Sequence, residues 1–243
     1  NENINLNYLA YRVNNDELDI FIKEFFQDKE ARGLNITLPH KKRAALLEGK
    51  ISQEARYINA VNTIVKENDK LHLFSTDGAG FINDIENKKF NLKNKNILII
   101  GAGAAVESIL YRVATAKPMK ITVINRTIEK ADRLIRKFGN MTKIRSEAEI
   151  DRPFDLVING SSAGLTGDFF PEENIPLTSK TYFYDLNYSL TETPFCKWAN
   201  EKSDNVYDGM GMLVYQAAYS FEKWFNIFPN TDKVINDLEE MRE

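Results

Sequence analysis

One cysteine, Cys196, and two histidines, His40 and His72, are all that 243 residues offer of the softer metal-binding side chains. A single thiol excludes an internal disulfide, and this trio is a poor ligand set for structural zinc, so no metal site is expected. No apolar run approaches the roughly 18 residues that cross a bilayer, and the polar start NENINLN is unlike a secretory signal. The expectation is therefore no membrane partner and a cytoplasmic location. An excess of one charge is missing too: 32 Lys and Arg stand against 35 Asp and Glu, a formal charge of -3, and the pI is near 5.7. Proteins that track nucleic-acid phosphates concentrate basic residues on one face, so the expected partner is a small molecule and not a nucleic acid. Internal repeats and low-complexity tracts are also lacking. What is present is 43% apolar and 28% charged residues, an ordinary globular composition on a chain long enough for one large domain or two modest ones.

Hydrophobic period divides the chain. An alternating segment from Asn7 to Val13 predicts a strand, and Leu18, Phe21, Ile22 and Phe25 at helical spacing behind Asn15 and Asp16 predict a capped helix. A second β-α unit is expected at LNITL and HKKRAALLEG, then strands at AVNTIVKEN and KLHLFST before a helix opening at DGAGFINDIE. These make residues 1–88 an α/β domain. The polar stretch NKKFNLKNKN leads into NILII, a continuous apolar run suited to a buried parallel strand. From there strands at ITVIN, DLVING and TYFYDL alternate with helices at SILYRVATA, EKADRLIRKFG and PFCKWANEK, which predicts a doubly wound parallel sheet over residues 89–210. Residues 211–243 read as amphipathic helices with no strand between them, capping the second domain or crossing back to the first.

Directly after NILII comes Gly101-Ala102-Gly103-Ala104-Ala105-Val106, at a strand-to-helix turn. Gly101 permits the tight turn, Gly103 lets backbone approach phosphates, and the helix start supplies unpaired N–H donors and a positive dipole end. A dinucleotide pyrophosphate fits such a turn; the plainer reading is a turn and a helix start. The next strand ends at Asn125-Arg126-Thr127, with Lys130 close behind and no acid to hold a ribose 2′-hydroxyl. Arg126, Thr127 and Lys130 suit a 2′-phosphate instead, since Arg pairs with phosphate bidentately, so the expected cofactor is NADP.

Asn35-Ile36-Thr37-Leu38-Pro39-His40-Lys41 places two polar side chains, a proline and a lysine at a strand exit, where α/β folds present ligands. Here the chain resembles the shikimate dehydrogenase family, whose hallmark is Asn-x-Thr-x-Pro-x-Lys. Further resemblances follow in the same order: Ala60-Val61-Asn62-Thr63, Thr76-Asp77-Gly78-Ala79-Gly80-Phe81, Asn125-Arg126-Thr127, Asp185 to Tyr188, and Asp208-Gly209-Met210-Gly211-Met212-Leu213 through Gln216. Together they run from about residue 8 to 224.

The resemblance implies a substrate-binding catalytic domain over 1–88, a Rossmann domain binding NADP over 89–210, and C-terminal helices packing back on the substrate domain. It implies reduction of 3-dehydroshikimate to shikimate by NADPH, on the route to chorismate and aromatic amino acids, by a monomer or homodimer. Lys41 and Asp77 would form the catalytic pair, and Thr37, Asn62, Asp77 and Gln216 would hold substrate hydroxyls with Tyr188 beside them. Asn35 would fix the loop backbone or touch ligand. Gly101, Ala102, Gly103, Ala104, Ala105, Asn125, Arg126, Thr127, Lys130, Leu186 and Gly209 would bind the cofactor. The chemistry asks for such a lysine, because hydride addition turns a ketone oxygen into an alkoxide that a proton-giving cation stabilises. A quinate/shikimate enzyme, or an NADP-binding regulatory module without turnover, are the alternatives.

The chain departs from the family pattern in places. A Ser-x-Ser segment that grips the substrate carboxylate usually precedes the point where this chain begins, and omission of an N-terminal piece is the expectation. Ser75 stands where Asn is usual, Ala104 where Gly is usual, Val106 is bulkier than usual, and Leu190 replaces a common proline.

Overall fold

The computed structural model describes residues 4–146, 152–162, 169 and 175–242. Four short strands build the first sheet: β1 (Gly33–Asn35), β2 (Lys50–Ile51), β3 (Thr63–Glu67) and β4 (Lys70–Phe74), in spatial order β1-β3-β4-β2. β3 and β4 form an antiparallel hairpin turned by Asn68 and Asp69, which take positive φ of 47° and 60°. Such primed turns match strand twist, and Asn and Asp tolerate them. β1 runs antiparallel to β3 with Leu34 opposite Ile64, and β2 parallel to β4.

Helices α1 (Leu18–Phe25), α2 (Lys41–Ala44) and α3 (Gln53–Ile58) cover this sheet, burying Leu18, Ile22, Ala44 and Ala55, while Ile58 at the end of α3 joins the core of the second sheet. α3 starts where Ser52 accepts the Ala55 N–H and stops at left-handed Asn59. Helix α4 (Asp77–Asn87) follows β4 directly.

Several expectations need correction here. Residues 7–13 belong to neither sheet. A strand exists through its hydrogen-bonded neighbour, and alternation alone does not supply one. Tyr8 instead donates to Asn35 Oδ1 at 2.9 Å and lies near the Trp224 ring, while Tyr11 packs on Phe21 and Phe25. Helix α1 begins behind Glu17 with no side-chain cap, so Asn15 and Asp16 do not cap it. The helix expected over HKKRAALLEG ends after one turn, because the Leu46 and Leu47 N–H groups bond three residues back and tighten the chain into turns.

The second sheet is parallel throughout: β5 (Asn96–Ile100), β6 (Lys120–Ile124), β7 (Ile144–Arg145), β8 (Leu156–Asn159), β9 (Tyr182–Asp185) and β10 (Val206–Tyr207), in order β10-β9-β8-β5-β6-β7. Counting from β5 this is 3-2-1-4-5-6 read from the β7 edge, the doubly wound Rossmann order. Ligands in such sheets bind beyond the carboxyl ends where the order reverses, here between β5 and β8. Ile97, Ile99, Ile121, Val123, Leu156 and Ile158 are fully buried under α5 (Ala104–Thr115) and α6 (Ile128–Phe138). On the other face, α7 (Pro194–Asn200) packs Phe195 and Ala199 against Phe183 and Val157.

Helix α8 (Met210–Phe225) starts beside β9 and runs across α4 to the first sheet, and α9 (Asp232–Glu240) closes the described chain. The crossing is close. A Cβ on Gly80 of α4 would lie 2.7 Å from the Gln216 backbone nitrogen. Only a residue without a side chain allows that approach. Phe81 and Ile85 of α4 join the core of the parallel sheet.

Candidate active site

A cleft of about 690 Å³ opens between the two sheets. One wall carries Asn35, Thr37, Lys41, Asn62, Asp77 and Gln216; the other carries Ala105, Leu186 and Gly209, with Tyr188 also lining it. All but Gln216 arrive at or near an element boundary. Asn35 ends β1, Lys41 opens α2, Asn62 precedes β3, Asp77 opens α4 and Gln216 lies in the second turn of α8.

Lys41 Nζ donates to Asp77 Oδ2 at 2.6 Å, with the lysine side chain 25% exposed and the aspartate 9%. As the first residue of α4, Asp77 also meets the positive end of the helix dipole. Its other oxygen, Oδ1, accepts from Asn62 Nδ2 at 2.8 Å. Asn62 is itself locked, since its Oδ1 accepts the Thr76 N–H at 2.9 Å and the Thr63 hydroxyl at 2.8 Å. An ammonium has three donors, and one goes to Asp77. The partly exposed lysine thus keeps donors for an oxygen atom placed in the cleft.

Gln216 Oε1 lies 3.3 Å from Asn62 Nδ2, and its Nε2 donates to the Leu213 carbonyl at 2.9 Å. Between the two expected roles of Asn35, the geometry favours the brace: Nδ2 donates to the Asn62 carbonyl and to Ser220, and Oδ1 accepts from Tyr8. Thr37 and Tyr188 are exposed at the cleft.

The glycine turn is built as its sequence suggests. Gly101 has φ of 107°, and a Cβ there would lie 2.8 Å from the Gly160 backbone, so both conformation and space call for glycine. Gly103 is exposed, a Cβ there would make only an ordinary contact of 3.8 Å with the Gly160 carbonyl oxygen, and it gives α5 no side-chain cap. The first N–H groups of α5 therefore face outward from an uncapped helix start, which suits an anion. Asn125 braces this turn: Oδ1 accepts the Ala102 N–H at 3.0 Å and Nδ2 donates to the Thr127 carbonyl at 2.7 Å. Arg126, Thr127 and Lys130 lie exposed just beyond it. An accessible turn flanked by cationic side chains fits a dinucleotide bearing an extra phosphate. Gly101, Ala102, Gly103, Ala104, Asn125, Arg126, Thr127 and Lys130 do not line this cleft; Ala105 is where the turn meets it. Bulky Val106 is accommodated by Gly160, whose missing Cβ would collide with the valine.

The opposite strand end is held by Asp185. It accepts from Asn159, Thr193 and the Asn187 backbone, yet burial outweighs these bonds and lifts its pKa above the usual carboxylate range. Thr63 and Thr76, which the sequence marked only as members of motifs, and Ser220, which it did not mark, form a buried hydroxyl cluster behind Asn35 and Asn62, with Thr63 and Ser220 2.7 Å apart. No local pattern marks Ser220, since its partners come from β1, β3 and the start of α4. Among the described residues no group of three or more His, Cys, Asp or Glu is placed to hold a metal, and no helix is long and apolar enough to cross a membrane.

Comparison with known proteins decides the family. Residues 1–64 match the shikimate dehydrogenase substrate binding domain, residues 84–166 the shikimate / quinate 5-dehydrogenase family and residues 209–239 the shikimate 5'-dehydrogenase C-terminal domain. A shikimate dehydrogenase (NADP(+)) of Legionella pneumophila is 41% identical over 220 residues, 89% of this chain and 81% of that protein. The chain belongs to the shikimate dehydrogenase family. A second relative of the same name, from Hahella chejuensis, is 37% identical over 237 residues, 96% of this chain and 87% of that protein. Among solved structures, shikimate 5-dehydrogenase of Thermus thermophilus in complex with NADP(H) and shikimate superposes with a TM-score of 0.80 at 30% identity, covering 95% of this chain and 84% of that one. The two-domain Rossmann architecture of this family is the one seen here.

Proposed function

We propose that this protein is an NADP-dependent shikimate dehydrogenase, reducing 3-dehydroshikimate to shikimate reversibly in the shikimate pathway. The observation that carries the reading is the Lys41–Asp77–Asn62 cluster, set in a cleft whose other wall is Ala105, Leu186 and Gly209. When bound along the glycine turn, NADPH supplies the hydride. In this reading Lys41 donates its proton to the ketone oxygen as negative charge develops there, a role supported by its place in the cleft lining and its contact with Asp77. Asp77 holds the ammonium in place and, with Asn62, Thr37 and Gln216, offers partners for ring hydroxyls. Asn35 holds the Asn62 carbonyl and so the strand edge, and Tyr188 bounds the cleft. A site that commits this many polar groups to hydroxyls rejects analogues that lack them.

Arg126, Thr127 and Lys130 hold the 2′-phosphate in this reading, Asn125 shapes the turn, and Gly101, Ala102, Gly103 and Ala104 bring backbone to the pyrophosphate. Leu186 and Gly209, which line the cleft with Ala105, would hold the part of the cofactor that reaches into it. The division into a substrate domain over 1–88, a cofactor domain over 89–210 and returning helices over 211–243 belongs to the same proposal. A cytoplasmic location and a monomeric or homodimeric state follow from the family likeness. Quinate is the second candidate substrate, because the matched family description names both acids.

The test is absorbance at 340 nm with shikimate or quinate and NADP or NAD, alongside Lys41→Ala. Shikimate-dependent NADP reduction that falls by roughly 10²- to 10⁴-fold in the variant is expected of a general acid. Tight NADPH binding without turnover of either polyol would overturn the reading in favour of a regulatory module.

A further inference from the structure

Asp84 and Tyr184 are both fully buried, a hundred residues apart in the chain, and the tyrosine hydroxyl donates to Asp84 Oδ2 at 2.6 Å. The other carboxylate oxygen, Oδ1, is sealed from solvent with no hydrogen-bond partner among the described residues. A buried, half-satisfied carboxylate is destabilising, and apolar side chains of similar volume would fill the space at lower cost. Burial accordingly lifts the Asp84 pKa, and burial together with Asp84 pushes the Tyr184 hydroxyl well above its ordinary value.

The location of the pair gives it a task. Asp84 follows Asp77 by seven residues on α4, two helical turns, so both sit on one face of that helix. Asp77 is the partner of Lys41. Tyr184 precedes Leu186 by two residues at the end of β9, where side chains two apart share a face, and Leu186 lines the opposite wall of the cleft. The third element is α8. A Cβ on Gly211 would collide with the Asp84 carboxylate, so glycine is what lets the first turn of α8 rest there. One turn on lies Gln216. Phe81 meets the Tyr184 ring edge-on at 5.0 Å, completing the wedge of one strand residue between two helices.

We propose that the Tyr184–Asp84 hydrogen bond is a positioning strut that sets the spacing between the Lys41–Asp77 pair and the Leu186–Gly209 wall, and so the alignment of a bound ketone with its hydride donor. Its catalytic consequence rests on the dehydrogenase reading; its geometry does not. Neither residue touches substrate. A strut acts on alignment in the ternary complex more than on the binding of either ligand, and misplacement by about 1 Å costs on the order of 10²-fold in rate.

The test compares Tyr184→Phe, which removes only the hydroxyl, with Asp84→Leu and with Asp84→Asn, which keeps an acceptor oxygen. Tyr184→Phe and Asp84→Leu are expected to lower kcat by about 10- to 100-fold, while calorimetric Kd values for NADPH and shikimate, each measured alone, stay within about twofold. Asp84→Asn is the conservative rescue and should recover most of the lost rate. In ligand-free protein, amide hydrogen exchange in Tyr184→Phe should rise together in residues 77–87 and 210–216 and leave β5 and β6 unchanged. An unchanged kcat, a parallel loss of kcat and both affinities, or an Asp84→Asn variant as impaired as Asp84→Leu would each overturn the strut. If the unaltered protein turns over no polyol, the dehydrogenase reading falls and the exchange pattern decides alone: a coupled rise in the two segments upholds the strut, and an unchanged pattern removes it.

Discussion

The indole N–H of Trp224 donates to the Ile64 carbonyl at 3.1 Å, fastening the last turn of α8 to the first sheet. At its other end α8 begins beside Gly209, where a Cβ would lie 2.6 Å from the Leu186 carbonyl oxygen. One helix therefore spans from the wall proposed for the cofactor to the sheet that carries Asn35 and Asn62, with Gln216 between.

The indole edge lies over Gly33, so a methyl group there has no room. Gly33→Ala should lower stability by about 1–3 kcal/mol through overpacking, read as a lower urea midpoint, and should shift Trp224 fluorescence in a Trp198→Phe background. A midpoint and spectrum equal to the parent's would show that the indole does not depend on this contact.

Arg126 is exposed beyond β6, free of the bracing that ties up Asn125. If it pairs with the 2′-phosphate, Arg126→Ala loses a charged hydrogen bond of about 1.5–3 kcal/mol, or roughly 10- to 100-fold in KM for NADP. KM for NAD should hardly change. Equal effects on the two nucleotides would remove Arg126 from that role.

Glu54, Asp84 and Asp185 have pKa values raised above the usual carboxylate range, burial being the largest cause in each. Each binds a proton more tightly folded than unfolded. Between the usual and raised values the folded state holds more protons, so their contribution favours folding at the acid end of that window and is lost as pH rises through it. Relative to Asp84→Asn, the parent protein should therefore gain stability as pH is lowered from about 7 toward 4, measured by urea midpoints. Parallel curves for the two proteins would contradict the sign.

Cys196 is 7% exposed, and burial pushes its thiol up to about 12. Since the thiolate is the nucleophile, native protein near pH 8 should consume almost no Ellman's reagent, and one thiol should react after unfolding in urea. Fast native labelling would place the sulfur at an accessible surface.

Much of the glycine turn could be read from neighbours in sequence, because a continuous apolar run and two glycines act within a few residues of each other. Lys41 and Asp77 were nameable from their motifs as well. Their pairing was implied by the family resemblance, but Glu54–Arg112, Tyr184–Asp84 and Thr63–Ser220 were not nameable, their partners being 58, 100 and 157 residues apart. Two-residue β7 and β10 have no period of their own, and six-residue α3 is too short to display one.

The local sequence determined where the long helices and buried strands lie, where glycine must stand at residue 101, and which residue types are on hand for the chemistry. Those properties depend on side-chain period and on φ, which each segment carries by itself. Tertiary structure alone decided that residues 7–13 form no strand, that Asn35 and Asn125 serve as braces, and that α8 joins the two walls of the cleft. A ladder, a brace and a buried carboxylate each need a partner from elsewhere in the chain, and no segment specifies its partner's position.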